Sequence, residues 1–334
     1  MTGSASTQPR HGATVPSPPP AKLIQVCGFP GGGTDLARNF LSSHPAIEIR
    51  GELPLLPTLA REFASTIHGR DVERFRARLV AIDVYHSLPN RAADLADLCR
   101  LPAVPAATIY HRLAGTRASL WRGNKTPQMT ERLDDLLTLF PEIRVVLVVR
   151  DVRDVCLSSL EKWGKDPAVR AHKWAQRLLS GLSVIERLPP GRAMVVRFED
   201  LLSDCTEVAR AVCQFLALPP SDRMLRHHET VTTSNPGHKN FGRPLDSGNT
   251  ERWRTGLSAA RIRRIEECAY EAMQRFGYRA ELATGAVPLT PRELVAGTAR
   301  DAAAMILVGN RYDPRDGPAR RLAGAAVSLR RRLI

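Results

Sequence analysis

"KLIQVCGFPGGGTDLARNFLSSHP" (Lys22–Pro45) decides how this chain folds. Its first eight residues form a short apolar run that stops at Pro30-Gly31, the mark of a buried strand. Thr34 reads as a helix N-cap, and "DLARNFLSS" carries helical character until His44-Pro45 ends it. The stretch is therefore strand, glycine loop, helix. Consecutive glycines let backbone N–H groups come close to an anion, and the helix N-terminus adds a partial positive charge. Taken alone, the loop reads equally well as a tight turn without a ligand. Gly28 to Gly33 has Walker A spacing, but Thr34-Asp35 stands where Lys-Ser/Thr is required, which argues against a kinase. The loop contains no Lys or Arg. If it holds an anion, the positive charge comes from elsewhere in the chain.

Two further strands work outward from it. "RVVLVVR" (Arg144–Arg150) is continuous and β-branched, as a strand buried on both faces should be, and "DVRDVCLSSLEKW" follows as a helix. "AMVVRF" (Ala193–Phe198) is a third strand, followed by the helix "EDLLSDCTEVARAVCQFLAL". Strands alternating with helices predict an α/β fold, with a parallel central sheet flanked by helices. Ligands of such sheets bind at the carboxyl ends of the strands, where Phe29 and Arg150 stand. Residues 53–119 read as mostly helical, and residues 231–256 as a polar loop over the site. "SAARIRRIEECAYEAMQRFGY" reads as a helix closed by Gly277, and the last fifty residues as less regular. The expected divisions are a disordered leader (1–21), one domain (22–285) and a C-terminal extension with a basic tail (286–334).

Composition sets the outer limits. The 334 residues suffice for one large domain or two small ones. The balance of 48 Lys+Arg against 34 Asp+Glu gives +14, which favours anionic partners. Aromatics are 5% and do not interleave with a basic stripe, which argues against a single-strand nucleic-acid platform. No two of the six cysteines form a CxxC pair, so they read as reduced core thiols in a cytoplasmic protein. No run of about eighteen apolar residues exists, and the first residues lack the apolar core of a signal peptide. The tail "ARRLAGAAVSLRRRLI" places an apolar middle between two Arg clusters; it reads as a solvated face, with peripheral membrane contact as the minority reading.

Arg150 ends a strand, and Ser158 lies about two helical turns further on. A guanidinium and a hydroxyl converging there can grip a terminal phosphate, although each residue is also common on a plain surface. The acids of "RDVRD" read as stabilisers of a helix N-terminus. His227 and His228 lack a third ligand at metal spacing, so no metal is expected. Trp121 and Trp253 read as core or lid residues, and His44 as the end of a helix.

The glycine loop, "RDVRDVCLS" and "VRFEDLL" together resemble the sulfotransferases that use 3'-phosphoadenosine 5'-phosphosulfate (PAPS). The similarity is strongest to the tyrosylprotein sulfotransferase branch and its bacterial relatives. "SSHPAIEIRGEL", "GNKTP", "RMLRHHE" and "RPLDSGNTERW" extend it, with gaps, from about Lys22 to Tyr278. The resemblance implies a P-loop-NTPase-like sulfotransferase fold, PAPS as donor, adenosine 3',5'-bisphosphate (PAP) as product, and no metal. It implies that Pro30, Gly31, Gly32, Gly33 and Thr34 cradle the 5'-phosphosulfate, and that Arg150, Ser158 and Arg243 hold the nucleotide. It makes Glu52 the general base and Lys125 the stabiliser of the transferring sulfuryl group. The acceptor is a hydroxyl or amine of unnamed class: protein tyrosine, sugar, lipid or small molecule.

The loop departs from the pattern PRSGTT. Gly31 replaces the basic residue and Asp35 a hydroxyl residue. Lys125, Arg38 or Arg243 are the candidates to replace the lost charge, with Arg38 read rather as a surface arginine. The departure keeps a rival reading open, a catalytically impaired nucleotide-binding relative. A kinase and a nucleic-acid binder are more distant rivals.

Overall fold

The computed structural model describes residues 22–53, 66–86, 93, 95–114, 119–230, 245 and 247–307. Five strands form one parallel sheet: β1 (Lys22–Gly28), β2 (Ile47–Arg50), β5 (Trp121–Lys125), β6 (Arg144–Val149) and β7 (Ala193–Arg197). Their order is β2-β5-β1-β6-β7, and every pairing is parallel. A small antiparallel ladder, β3 (Thr66–Ile67) with β4 (Val104–Pro105), stands apart. The parallel α/β architecture is the one expected.

The sequence of β6 explains its place. Val145, Leu147 and Val149 enter the apolar cluster that holds Trp174, Leu178 and Ile265. Val146 and Val148 enter the opposite cluster, with Phe40, Leu41 and Val212. Alternate side chains bury on opposite faces, so a strand covered on both reads as unbroken apolar sequence. Each such side chain contributes about 1.5–3 kcal/mol of transfer free energy. Helices Thr34–Ser42 and Cys205–Leu216 cover one face; Val152–Trp163, Pro167–Ile185 and Ala259–Arg275 cover the other.

Central β1 sets the topology. From it the chain goes out to β2, returns through β5, and crosses to β6 and β7. The reversal between β1 and β6 opens a crevice at the carboxyl ends of the strands. The glycine loop follows β1, Glu52 lies two residues past β2, Lys125 ends β5 and Arg150 follows β6.

The expected helices are present, with adjustments. The N-cap of Thr34–Ser42 is Gly33, not Thr34, because Gly33 adopts the left-handed conformation at φ 85° and Thr34 is already helical and buried. Residues 53–119 include the helices Gly69–His86 and Ala106–Ala114, and β5 begins just after them. The C-terminal region is more regular than expected. A helix, Pro291–Leu307, is tied back by Arg300 to Asp166 Oδ2 (2.7 Å) and by the Asp166 N–H to Asp301 Oδ1 (2.7 Å). Among the described residues no helix is long and apolar enough to cross a membrane. Residues 1–21, residues 231–244 and 246 of the expected loop 231–256, and residues from 308 lie outside the described residues, and Trp253–Gly256 of that loop is a short helix.

Candidate active site

The glycine loop is built for close backbone approach. Gly32 N–H donates to the Phe29 carbonyl (2.8 Å), closing a turn directly after β1. Gly31 and Gly33 both have left-handed φ, 87° and 85°. A Cβ on Gly33 would lie 2.2 Å from the Phe198 ring, so only glycine fits there. The helix that follows has no side-chain cap, which leaves its first N–H groups to the solvent side of the loop.

Glu52 and Lys125 come together. Lys125 Nζ donates to Glu52 Oε1 at 2.7 Å and pairs with Asp35 Oδ1 at 2.8 Å. The lysine is only 2% exposed. Burial alone pulls its ammonium down, but Asp35 and Glu52 outweigh that and hold its pKa above the usual lysine value. The lysine therefore stays charged. A hydrogen-bond chain fixes the backbone beside Glu52 relative to it. Leu53 N–H donates to Thr126 Oγ1 (3.1 Å), and that hydroxyl donates to Asn124 Oδ1 (2.8 Å). The "GNKTP" element thus positions the backbone next to Glu52 as well as carrying Lys125.

Arg38 corrects the sequence reading, and Asp35 extends it. Asp35 does face the site, paired with Lys125 as well as lying in the first helical turn. Arg38 is not a surface arginine: it is 9% exposed and donates to Asn39 Oδ1 (2.7 Å). Burial lowers its pKa, opposed by the charges of Asp35 and Glu52. Lys125 and Arg38 both sit within the field of the same two carboxylates. Neither is an uncommitted cation for the loop.

Arg150 lies across the crevice. Its Nη2 donates to the Asn249 carbonyl (2.7 Å), and its guanidinium stacks on Phe198 at 4.3 Å. Asp154 Oδ2 stands 4.0 Å away, a loose pairing. Burial lowers the Arg150 pKa, and its Nε is buried without a hydrogen-bond partner among the described residues. A buried donor left open beside a crevice fits an anion. Ser158 lies half-buried on the adjoining helix. Arg243 lies outside the described residues.

The "RDVRD" acids and "VRFED" build the frame. Asp151 caps its helix through Arg153 N–H (2.9 Å), and Arg153 bridges it to buried Glu266 (2.8 Å). Glu199 accepts from Asp151 N–H (2.9 Å) and from the Tyr278 hydroxyl (2.7 Å), which joins the ends of β6 and β7. Trp121 and Trp253 are both core residues, each 2% exposed. His44 links two segments: it accepts from Ala46 N–H at Nδ1 (3.1 Å), and Nε2 meets the Pro219 carbonyl (3.0 Å). One basic residue at the site escaped the sequence reading. Arg170 donates from Nη2 to the Pro30 carbonyl (2.7 Å) and from Nε to Ser159 Oγ (3.0 Å).

Comparison with known proteins agrees with this fold. A profile described as "Sulfotransferase family" matches residues 24–222. An "Uncharacterized protein" of Aquifex aeolicus is 23% identical over 249 residues, which cover 71% of this chain and 31% of that protein. A "Putative protein-tyrosine sulfotransferase" of Caenorhabditis briggsae is 27% identical over 219 residues, 63% of this chain and 70% of that one. The chain thus spans about a third of the length of the first of these relatives. Among solved structures, the "Sulfotransferase Domain from the Synechococcus PCC 7002 Olefin Synthase" superposes with a TM-score of 0.59 at 21% identity, covering 83% of this chain and all of that one.

Proposed function

The chain belongs to the sulfotransferase family, and from that premise we propose that it transfers a sulfuryl group from PAPS to a hydroxyl or amine acceptor. The observation that carries the reading is the 2.7 Å pairing of Glu52 with Lys125 at the ends of two neighbouring strands. One acceptor oxygen can lie within reach of both groups. PAPS would supply a sulfuryl group activated by its 5'-phosphate. The residues here fit such a donor: an uncapped helix N-terminus behind a glycine loop on one side, and on the other a half-buried arginine whose buried Nε has no hydrogen-bond partner among the described residues.

In this reading Glu52 takes the acceptor proton, for which hydrogen-bond reach matters more than resting pKa. Lys125 stabilises charge on the sulfuryl oxygens, as cations do in phosphoryl transfer. Pro30, Gly31, Gly32, Gly33 and Thr34 hold the 5'-phosphosulfate, and Arg150, Ser158 and Arg243 the rest of the nucleotide. Residues 22–285 form the catalytic domain, and 286–334 an extension of it. A cytoplasmic location belongs to the same proposal, supported by six free cysteines, three of them buried. The acceptor is a protein tyrosine, sugar, lipid or small molecule, and the nematode relative's description makes tyrosine the first to assay.

Calorimetric titration with PAP, beside an Arg150→Ala variant, tests the nucleotide site. Micromolar binding that the variant loses supports the reading. Well-folded wild-type protein that binds no PAP rejects it.

A further inference from the structure

The glycine loop lacks a cation, and a buried arginine with no paired carboxylate among the described residues lies directly against it. Arg170 belongs to the first turn of the helix Pro167–Ile185 and is 8% exposed. Its acceptors are the Pro30 carbonyl and Ser159 Oγ, and its guanidinium stacks on the Phe29 ring at 4.4 Å. All three are neutral. No carboxylate pairs with it among the described residues. Asp301 acts on it only from a distance and is itself engaged by the Asp166 N–H.

Two other buried cations near the site are compensated: Lys125 pairs with two carboxylates, and Arg153 with Asp151 and Glu266. A buried charge with only neutral partners is costly to fold around. Burial pushes the Arg170 guanidinium down to about 10. Burial and then the charge of Arg170 push neighbouring Lys165 down to about 8. The fold holds a positive region behind the loop and does not neutralise it.

The geometry joins this charge to the loop. In a trans peptide the carbonyl and the following N–H point in opposite directions. With the Pro30 carbonyl held back by Arg170, the Gly31 N–H is aimed the other way, to the face where an anion would sit. A Cβ on Gly31 would lie 4.0 Å from Ser159 Oγ, the same oxygen that accepts from Arg170. We propose that Arg170 supplies the positive charge of the 5'-phosphosulfate loop that Gly31 lacks, acting through the loop backbone as a positioning residue. This rests on the nucleotide reading above and adds a residue to it.

The test separates the two. The full chain is titrated with PAP and with adenosine 3'-monophosphate, which lacks the 5'-phosphate. Wild type is expected to prefer PAP by about 10- to 100-fold, the range for charged hydrogen-bonding groups. Arg170→Gln is expected to keep the 3'-monophosphate affinity and cut that preference to about threefold or less, with Arg170→Lys between them. An unchanged preference in Arg170→Gln overturns the inference, as does a parallel loss of 3'-monophosphate affinity, which would mark a merely structural arginine. A wild-type preference near one with PAP still bound also overturns it and leaves the nucleotide reading standing. Wild type that binds neither ligand rejects that reading first. Should Arg170→Gln fail to fold, Ser159→Asp puts a carboxylate against Nε and neutralises the charge in place. It should abolish the preference, and an undiminished preference in that variant overturns the inference.

Discussion

The two sides of the crevice treat positive charge differently. On the side of β2 and β5, Lys125 is clamped by carboxylates at 2.7 and 2.8 Å, with Arg38 in the same field. Among the described residues, two cations face two anions there. On the side of β1 and β6, Arg150 has one carboxylate at 4.0 Å and an open Nε, and Arg170 has no paired carboxylate among the described residues. The first arrangement is already complete and suits proton removal by Glu52. The second is incomplete and suits a ligand that brings its own negative charge. Under the proposed function, anion selection and chemistry are divided between the halves of one sheet.

The largest test of that division pairs opposite changes on the side of β2 and β5. Lys125→Ala should lower kcat by about 10²- to 10³-fold, as loss of one preorganised donor does. Asp35→Asn should work the other way on the donor: it releases Lys125 from one carboxylate, and PAP affinity should rise by about 3- to 10-fold. Steady-state kinetics and calorimetry on the same preparations check both. If Asp35→Asn instead depresses turnover as deeply as Lys125→Ala, the carboxylate clamp is itself required, and the contrast between the two sides fails.

The next test lies on the positive side. Asp154 Oδ1 accepts from Trp253 N–H (3.0 Å), while its Oδ2 is buried without a hydrogen-bond partner among the described residues. Burial raises its pKa to about 6, against the lowering effect of Arg150. The folded state therefore binds this proton more tightly than the unfolded chain does. The group's stabilisation is full below about pH 4 and is lost as pH rises through about 6, with a size of about 2–3 kcal/mol. Urea unfolding from pH 4 to pH 7 should show that slope, and Asp154→Asn should flatten it. Protonating Asp154 also leaves Arg150 less compensated, so PAP should bind wild type more tightly at pH 5.5 than at pH 7.5. A pH-independent affinity in wild type would mean that Asp154 does not modulate the anion site.

The same contrast marks what the sequence could show. β1, β6 and β7 are apolar runs, and the glycine loop and Arg150 at their ends were visible directly. β2 and β5, "IEIR" and "WRGNK", alternate or break their polarity and did not read as strands. Gly123 looks like a strand breaker, yet a Cβ there would lie 1.7 Å from the Ile24 carbonyl oxygen, so close strand approach demands glycine. Glu52 and Lys125 are therefore placed by family resemblance alone. Arg170 had no local signal: it shares its helix with Lys173 and Arg177, and only contacts 11 and 140 residues away in sequence single it out. The helix Pro291–Leu307 escaped for a related reason, since Arg300 and Asp301 anchor on Asp166, 134 and 135 residues away. Charges whose partners are distant in sequence leave no periodic trace.

The smallest expected effect is the most discriminating. Gly31→Arg restores the basic residue seen in the pattern PRSGTT. There is room for a Cβ, since the nearest heavy atom to it is Ser159 Oγ at 4.0 Å. Two terms oppose the gain. Gly31 has φ 87°, where a side chain costs about 1–2 kcal/mol. The new guanidinium would also share the loop with Arg170, so its charge is partly redundant and partly repelled. The expected change in kcat/KM is within about threefold of wild type, although one added cation in an empty loop would otherwise bring about 10-fold or more. The same substitution placed on Arg170→Gln should recover a larger share of the lost activity than it adds to wild type, because there the loop has no cation to compete with. A rise of about tenfold in the single variant, with no greater recovery in the double, would mean that the loop was short of charge all along and that the positive side of the crevice begins at Arg150.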